Sequence, residues 1–454
     1  MLELTLAQVA ALVGAPSSPA GSVTGEVRID SRAVEPGDLF VALTGEQVDG
    51  HAYAQAALDR GACAVLVERP TTDRDLVVPD ALAGLQSLAR EVFARDQPFT
   101  FGITGSTGKT STKDLLAQVL TGFGVTLAPR ESFNNEIGLP LTATQRTAAT
   151  QYAVLEYSAR GIGHIAFLCG LVRPDVAIVL NVGTAHLGEF GSRENIATAK
   201  GELVDAASRL AVLNGDDPLV AAMSPRASGP VVTFGSRSAY RMEDLVVDDG
   251  GRASFSLHAP TGSAVVGLQV RGEHQAGNAL AVATAVLAAG ITDDVSRVAD
   301  LLGAAQPVSH WRMEVTERPD GVTVVNDAYN ANPDSMRAAL KTLAVMSAGK
   351  TRRTWAVLGE MGELGQDARS AHMDLGRFVV RLDVSRLVVI GSGAGGIHAG
   401  AVLEGSWGEE SVHVDDVDAA LALLRAELSP GDVVLVKASR SVGLERLAAA
   451  LVQA

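Results

Sequence analysis

The chain has 454 residues, 47% hydrophobic and 20% charged, enough for about three ordinary domains. Its net charge of −15 excludes nucleic acid as the main partner, because a phosphate backbone demands a basic stripe. No run of about 18 uninterrupted apolar residues exists to span a membrane, and MLELTLAQVAALVG lacks the basic start of a secretory signal, so a cytoplasmic protein is expected.

In chain order, the N-terminal stretch reads as a short amphipathic helix. Turn-rich segments such as GEVRIDSRAVEPGDLFVAL follow, then an alternating strand–helix run ending near Arg95. Cys63 and Cys169 sit in apolar contexts and form no motif, which fits buried thiols in a reducing compartment. A boundary near Gln97 sets off a first domain of residues 1–96. From there to about residue 307, short apolar strands (TFGIT, YAVLEYS, VAIVLNVG, RLAVLNGDD) alternate with helical stretches. That rhythm predicts a mainly parallel sheet covered by helices on both faces. Residues 229–272 read as hairpin-like, an antiparallel appendage to this second domain. Past a second boundary near Pro307, residues 308–454 alternate again, as GVTVVNDAY, RTWAVLGEM, RLVVIGSG and DVVLVKAS, and predict a smaller doubly wound domain.

The second domain opens on FGITGSTGKTST, an apolar strand, a glycine-rich turn and a helix. Gly105, Ser106, Thr107, Gly108, Lys109 and Thr110, with Ser111 next, form a phosphate-binding loop. Its backbone N–H groups and the helix's positive end converge on one anion. Lys109 can reach β- and γ-phosphates, and the Thr110 hydroxyl can ligate Mg²⁺. The pattern departs from the commonest form, since Gly102 lies six positions before Gly108 rather than five. A nucleoside triphosphate is the expected ligand.

Three more residues stand where an α/β sheet places its site, near strand ends. Glu156 ends YAVLEYS, His186 follows VAIVLNVGTA, and Lys200 lies in the helical run ENIATAKGELV. A carboxylate beside a triphosphate suits Mg²⁺, while an imidazole would be an unusual ligand for it. Each also has a plain structural reading, as an ion-pair partner, a helix cap and a solvated helix residue. The segment Asn326–Pro333 (NDAYNANP) carries more amides than one turn requires. A competing signal is Gly391-Ser392-Gly393-Ala394-Gly395-Gly396 after RLVVI, with Asp415 about 20 residues on. This is the pattern of a dinucleotide-binding oxidoreductase.

Several segments together resemble the Mur ligase family of peptidoglycan synthesis, over essentially the whole chain. They are DSRAVEPGDLFVALTGEQVDGH, GITGSTGKTSTKDLL, ESFNNEIGLPLT, LNVGTAHLGEFGSRENIATAKGEL, NDAYNANPDSM, LGEMGELG and VKASRSVGLE. SFNNEIGLPLT and DAYNANPDSM resemble the branch that adds D-alanyl-D-alanine to UDP-N-acetylmuramoyl-tripeptide. The resemblance implies an α/β chain of three domains. These would be an N-terminal domain for the UDP-linked substrate, a central phosphate-loop domain and a C-terminal Rossmann-like domain. It also implies ATP and Mg²⁺, a monomer, and an acyl-phosphate route to an amide.

By the same resemblance, Lys109 and Thr110 bind the triphosphate and one Mg²⁺, which Glu156 ligates, while His186 ligates a second. Lys200 resembles the lysine that family members carbamylate with CO₂. Asn278 resembles the nucleotide-binding asparagine, Arg312 the arginine that touches the terminal phosphates, and Asp327 the ribose contact. Ser31 and Arg32 resemble part of the uridine-nucleotide site, and Asn134, Asn135, Tyr329 and Asn330 the acceptor region. Two positions depart from the family pattern: Tyr157-Ser158 follow the glutamate, and Ala438 stands where glycine is usual. A Mur-type ligase for another amino acid and a nucleotide switch that ligates nothing are the remaining alternatives.

Overall fold

The computed structural model describes residues 2–45, 48–129, 131–184, 187–347, 349, 351–405 and 410–453. Near the N-terminus, the strands Val27–Arg28, Leu39–Val41, Ala64–Val67 and Asp75–Val77 form a four-stranded parallel sheet. The helices Leu6–Val13 and Ala81–Ala94 bury their apolar faces against it. Thr5 and Gln8 close a reciprocal cap at the start of the first helix.

The central sheet has six parallel strands in the order Val231–Phe234, Leu210–Asn214, Val176–Val179, Phe99–Thr104, Tyr152–Glu156 and Thr126–Leu127. Side chains alternate across it with the strand period of two. Phe101, Ile103, Val154 and Ile178 pack on one face with the helices Lys109–Thr121 and His274–Ala288. Ala153, Leu155, Ala177 and Val179 pack on the other with His164–Leu171 and Arg193–Ala206. The helix His274–Ala288 is buried almost all round, as its unbroken Ala/Val/Leu composition requires. Its N-terminal residues His274, Gln275 and Asn278 reach the site, while Thr284 further on turns its hydroxyl back to the Leu280 carbonyl at 2.7 Å.

Two details differ from the sequence reading. The antiparallel sheet comprises only Arg241–Val247, Arg252–Ala259 and Gly262–Arg271. The segment VVTFGS instead pairs in parallel with Leu210–Asn214 as an edge strand, because its β-branched residues continue the central sheet. Gly102 lies inside the strand Phe99–Thr104 and takes no part in the turn. A Cβ there would stand 3.0 Å from both Pro174 and Tyr157, so this glycine serves close packing.

The C-terminal sheet runs Glu314–Glu317, Thr323–Asn326, Val433–Lys437, Thr354–Leu358, Arg386–Ile390 and Ser411–Val414. It is parallel except for its first pair. Buried Arg146 joins the first two layers: its guanidinium donates to the carbonyls of Val92 (3.1 Å) and Asp96 (3.0 Å) at the end of the helix Ala81–Ala94. Among the described residues no helix is long and apolar enough to cross a membrane.

Candidate active site

Parallel strands all point their carboxyl ends the same way, and the central sheet uses this to assemble a site. The strand Phe99–Thr104 lies between Tyr152–Glu156 and Val176–Val179, so the loops after all three meet. The turn after the first strand enters the helix Lys109–Thr121 through Gly108, at φ +83°. A Cβ on Gly108 would also stand 2.6 Å from Asn278 Oδ1, so both conformation and space demand glycine.

Asn181, just past the neighbouring strand, braces this turn. Its side-chain carbonyl accepts the N–H groups of Ser106 and Thr107, both at 3.0 Å, and its amide donates to the Thr107 carbonyl at 3.2 Å. The Gly183 N–H donates to Ser106 Oγ at 2.9 Å. Lys109 Nζ donates to the Gly105 carbonyl at 2.6 Å. Burial pushes the Lys109 ammonium below its usual range, while the Glu156 carboxylate pulls it up and the Arg312 charge lowers it again.

A cavity of about 520 Å³ opens over the turn, with walls from both the central and the C-terminal layers. Glu156, fully buried at its strand end, accepts a 3.3 Å hydrogen bond from Asn134 Nδ2 on one oxygen. Its other oxygen, Oε1, is buried and has no partner among the described residues. From the C-terminal side, Arg312 stacks 4.1 Å over the Tyr329 ring and donates from Nη2 to Ser132 Oγ at 2.9 Å. Asp327 pairs with Lys437 at 2.7 Å and accepts the Met313 N–H at 3.0 Å. Asn278 donates to Gln275 at 2.9 Å, and Gln275 makes a long 3.5 Å contact to Ser111. Asp334 accepts the Thr184 N–H at 3.2 Å, a second tie between the two layers.

Lys200, in the helix Arg193–Ala206, does not line the cavity. It is 7% exposed, and no hydrogen bond or ion pair reaches its ammonium among the described residues. Burial first, and the Lys109 charge second, hold it well below the ordinary lysine range.

The rival glycine turn is built differently. It follows the strand Arg386–Ile390 and opens the helix Gly395–Glu404, with Asp415 just past the adjacent strand. The Glu360 carboxylate lies against it, so close that a Cβ on Gly393 would stand 2.3 Å from Oε2. An anion approaching that glycine would meet negative charge. None of residues 391–396 lines the 520 Å³ cavity.

Residues 25–90 match the family described as "Mur ligase family, catalytic domain", 103–286 the "Mur ligase middle domain" and 311–440 the "Mur ligase, glutamate ligase domain". The UDP-N-acetylmuramoyl-tripeptide–D-alanyl-D-alanine ligase of Mycobacterium bovis is 49% identical, over 100% of this chain and 98% of its own length. Its Escherichia coli counterpart is 33% identical, over 99% of each chain. The chain belongs to the Mur ligase family.

Solved Mur ligases share its architecture. A MurF structure from Acinetobacter baumannii superposes with a TM-score of 0.86 at 31% identity, covering 100% of this chain and 99% of that one. The MurF ligase of Thermotoga maritima, solved in complex with ADP, gives 0.80 at 30% identity, covering 95% and 98%.

Of the residues expected from sequence, Ser106, Thr107, Gly108, Lys109, Thr110 and Ser111 line the cavity. So do Asn134, Asn135, Glu156, Asn278, Arg312, Asp327, Tyr329 and Asn330. Gly105 lies just behind, as the Lys109 acceptor. Part of the amide-rich chemistry is local: Asn135 accepts the Gly138 N–H (2.8 Å), Asn330 the Ala331 N–H (2.8 Å), and Asn332 caps the helix Pro333–Val345. Ser31 and Arg32 stand apart in the short turn Ser31–Ala33, where exposed Arg32 pairs with Asp30 at 2.8 Å. That pairing holds the Asp30 carboxyl down to about 2. His186 lies outside the described residues.

Sequence reasoning missed Ser132, Asn181, His274 and Lys437. Asn181 sits in LNVG two positions past the strand end, so the rule that sites gather at strand ends could have found it. Lys437 ends a strand too, in VKAS, whereas Ser132 and His274 carry no local signal.

Proposed function

We propose that this chain is a cytoplasmic, ATP-dependent ligase of peptidoglycan precursor synthesis that joins D-alanyl-D-alanine to UDP-N-acetylmuramoyl-tripeptide. The observation carrying this reading is a single cavity that unites the phosphate loop with Arg312, Asp327 and Tyr329 of the C-terminal layer. The divisions near residues 97 and 307, the roles of the named residues and a monomeric state belong to the same proposal.

The triphosphate lies on the turn Gly105–Thr110, its γ-phosphate within reach of Lys109 and Arg312, its ribose toward Asp327 and its base toward Asn278. A carboxylate oxygen of the tripeptide takes the γ-phosphoryl group, and ADP leaves. The dipeptide amine then attacks the resulting acyl phosphate, the C–N bond forms, and phosphate departs with the C–O bond. Lys109 and Arg312 neutralise charge on the transferring group, a task of positioning and electrostatics. Closing the C-terminal layer over the nucleotide keeps water from the acyl phosphate. Ser31 and Arg32 hold the uridine end away from the reacting atoms, which suits a long substrate, while Asn134, Asn135, Tyr329 and Asn330 face the acceptor.

The oxygens present suit Mg²⁺: the unpartnered Glu156 Oε1 and the Thr110 hydroxyl are hard donors on one cavity wall. Among the described residues no three His, Cys, Asp or Glu side chains converge as a metal cluster, so phosphates and water would complete the coordination. Thr110 and Glu156 would hold one ion and His186 a second, and bound Mg²⁺ would offset the triphosphate charge. Burial lowers Lys200 and so favours the free amine, the form that adds to CO₂. Its nitrogen lone pair forms the N–C bond as one C=O π pair moves to oxygen, an N–H proton leaves, and the amine becomes a carbamate able to face a metal.

Purified protein with ATP, Mg²⁺ and UDP-N-acetylmuramoyl-tripeptide should release ADP only when D-alanyl-D-alanine is added, with a UDP-linked pentapeptide detected by mass. ADP release that ignores the dipeptide would make it an ATPase with another acceptor.

A further inference from the structure

The loop between the strand Thr126–Leu127 and the helix Gly138–Thr144 carries one side chain that touches both halves of the site. Ser132 Oγ accepts from Arg312 Nη2 at 2.9 Å and lies 2.9 Å from Thr110 Oγ1. A guanidinium can only donate, so one serine lone pair is committed to Arg312. The charge then polarises the serine hydroxyl and strengthens its bond to Thr110. The result is a relay from the C-terminal layer, through one hydroxyl, to the phosphate loop.

Among the described residues nothing else fixes the arginine as well. Its Nε is buried without a hydrogen-bond partner among those residues, and the Tyr329 stack sets distance more than direction. The backbone displaying it is strained on both sides, with Trp311 at φ +58° and Met313 at φ +52°. Trp311 is held by its N–H to Glu314 (3.0 Å), its carbonyl to the Tyr329 N–H (3.2 Å) and a 4.2 Å stack under Arg440. Such a segment keeps its shape only while its contacts persist.

We propose that Ser132 is a positioning residue: it latches Arg312 to the phosphate loop in the ligand-free chain, so the arginine already stands at the triphosphate site. The inference rests on the nucleotide reading above and adds the residue that sets Arg312. Ser132 is half-buried in a loop, so its replacement leaves the core intact.

The test is binding of the ATP analogue AMPPNP with Mg²⁺ to the full chain, measured calorimetrically. Ser132→Ala and Ser132→Val should weaken it about five- to tenfold, while Ser132→Thr, which keeps the hydroxyl, stays within about twofold. In an Arg312→Ala background, Ser132→Ala should cost nothing further. In the ligand-free protein, Ser132→Ala should also speed amide exchange across residues 309–313 but leave 391–396 unchanged. Unaltered affinity in Ser132→Ala, or an equal penalty with and without Arg312, overturns the latch. Wild-type protein that fails to bind the analogue overturns the nucleotide reading instead.

Discussion

The two glycine-rich turns follow a parallel strand, open a helix and begin that opening at a glycine with φ +83°, Gly108 in one and Gly391 in the other. Only the first lines the 520 Å³ cavity. Around Gly108 the chain supplies Asn181 to brace the loop amides, Lys109 as a local cation and empty space above. Around Gly393 it supplies its own carboxylate, Glu360. A glycine pattern therefore specifies backbone shape, and what the rest of the chain places against that shape decides whether an anion can bind.

The sharpest way to break the comparison is to remove the charge that only the first turn has. Lys109→Ala should cut dipeptide-dependent ADP release by roughly 10²–10³-fold, because the lysine acts where phosphoryl charge develops. Ser392→Ala in the second turn should leave that rate unchanged. A comparable loss from Ser392→Ala would mean that both turns serve the reaction.

Next come the paired glycines. Gly391→Ala meets nothing within 4 Å and carries only backbone strain, at φ +83° and ψ 155°, a region reserved almost wholly for glycine. It should cost about 1–3 kcal/mol in denaturant unfolding with turnover preserved per folded molecule. Gly108→Ala adds a collision with Asn278 Oδ1 and should lose nucleotide affinity as well as stability. If both variants lost only stability, Asn278 would not be part of the nucleotide site.

These contrasts also show why parts of the molecule were legible. The layers followed from β-branched strands alternating with helices, Glu156 from its place at a strand end, Asp327 from the distinctive segment NDAYNANPDSM, and Arg312 from the family resemblance. Misreadings came where local pattern was neutral. Gly102 looked like part of the turn because spacing does not tell a packing glycine from a turn glycine. VVTFGS looked like a hairpin strand because an edge strand of a parallel sheet carries the same residues. Ser132 and His274 are single polar residues whose importance comes from what lies opposite them in space, hundreds of ångströms of extended chain away in some cases. Ser132 meets Arg312 across 180 residues.

A smaller effect should follow from Asn181→Ala. It removes one acceptor that serves two loop N–H groups, so KM for ATP should rise about tenfold, in line with about 1–3 kcal/mol for unsatisfied amides, while kcat changes little. A fall in kcat at unchanged KM would place Asn181 in the chemistry rather than in bracing the turn.

The smallest effects concern protons, and each turn has a histidine nearby to compare. The protein packed around its ring holds His274, at the head of the helix His274–Ala288, below its ordinary 6.5, with Asp327 opposing and Lys437 adding to the shift, although the side chain stays exposed at the cavity. His398, in the helix after the second turn, is lowered too, by burial and then by His413, and its side chain is half-buried where that of His274 is exposed. For a histidine lowered on folding, the unfolded chain binds the proton that the folded chain refuses. Stability therefore falls as pH drops below about 6.5 toward the folded value, and it is fully present above. His398→Gln should flatten the decline of melting temperature between about pH 6.5 and 5, and His274→Gln should flatten it less, because its ring stays open to the water of the cavity. The reverse ranking would show that the cavity shields His274 from water more than its open side suggests, and that the working turn is the drier of the two.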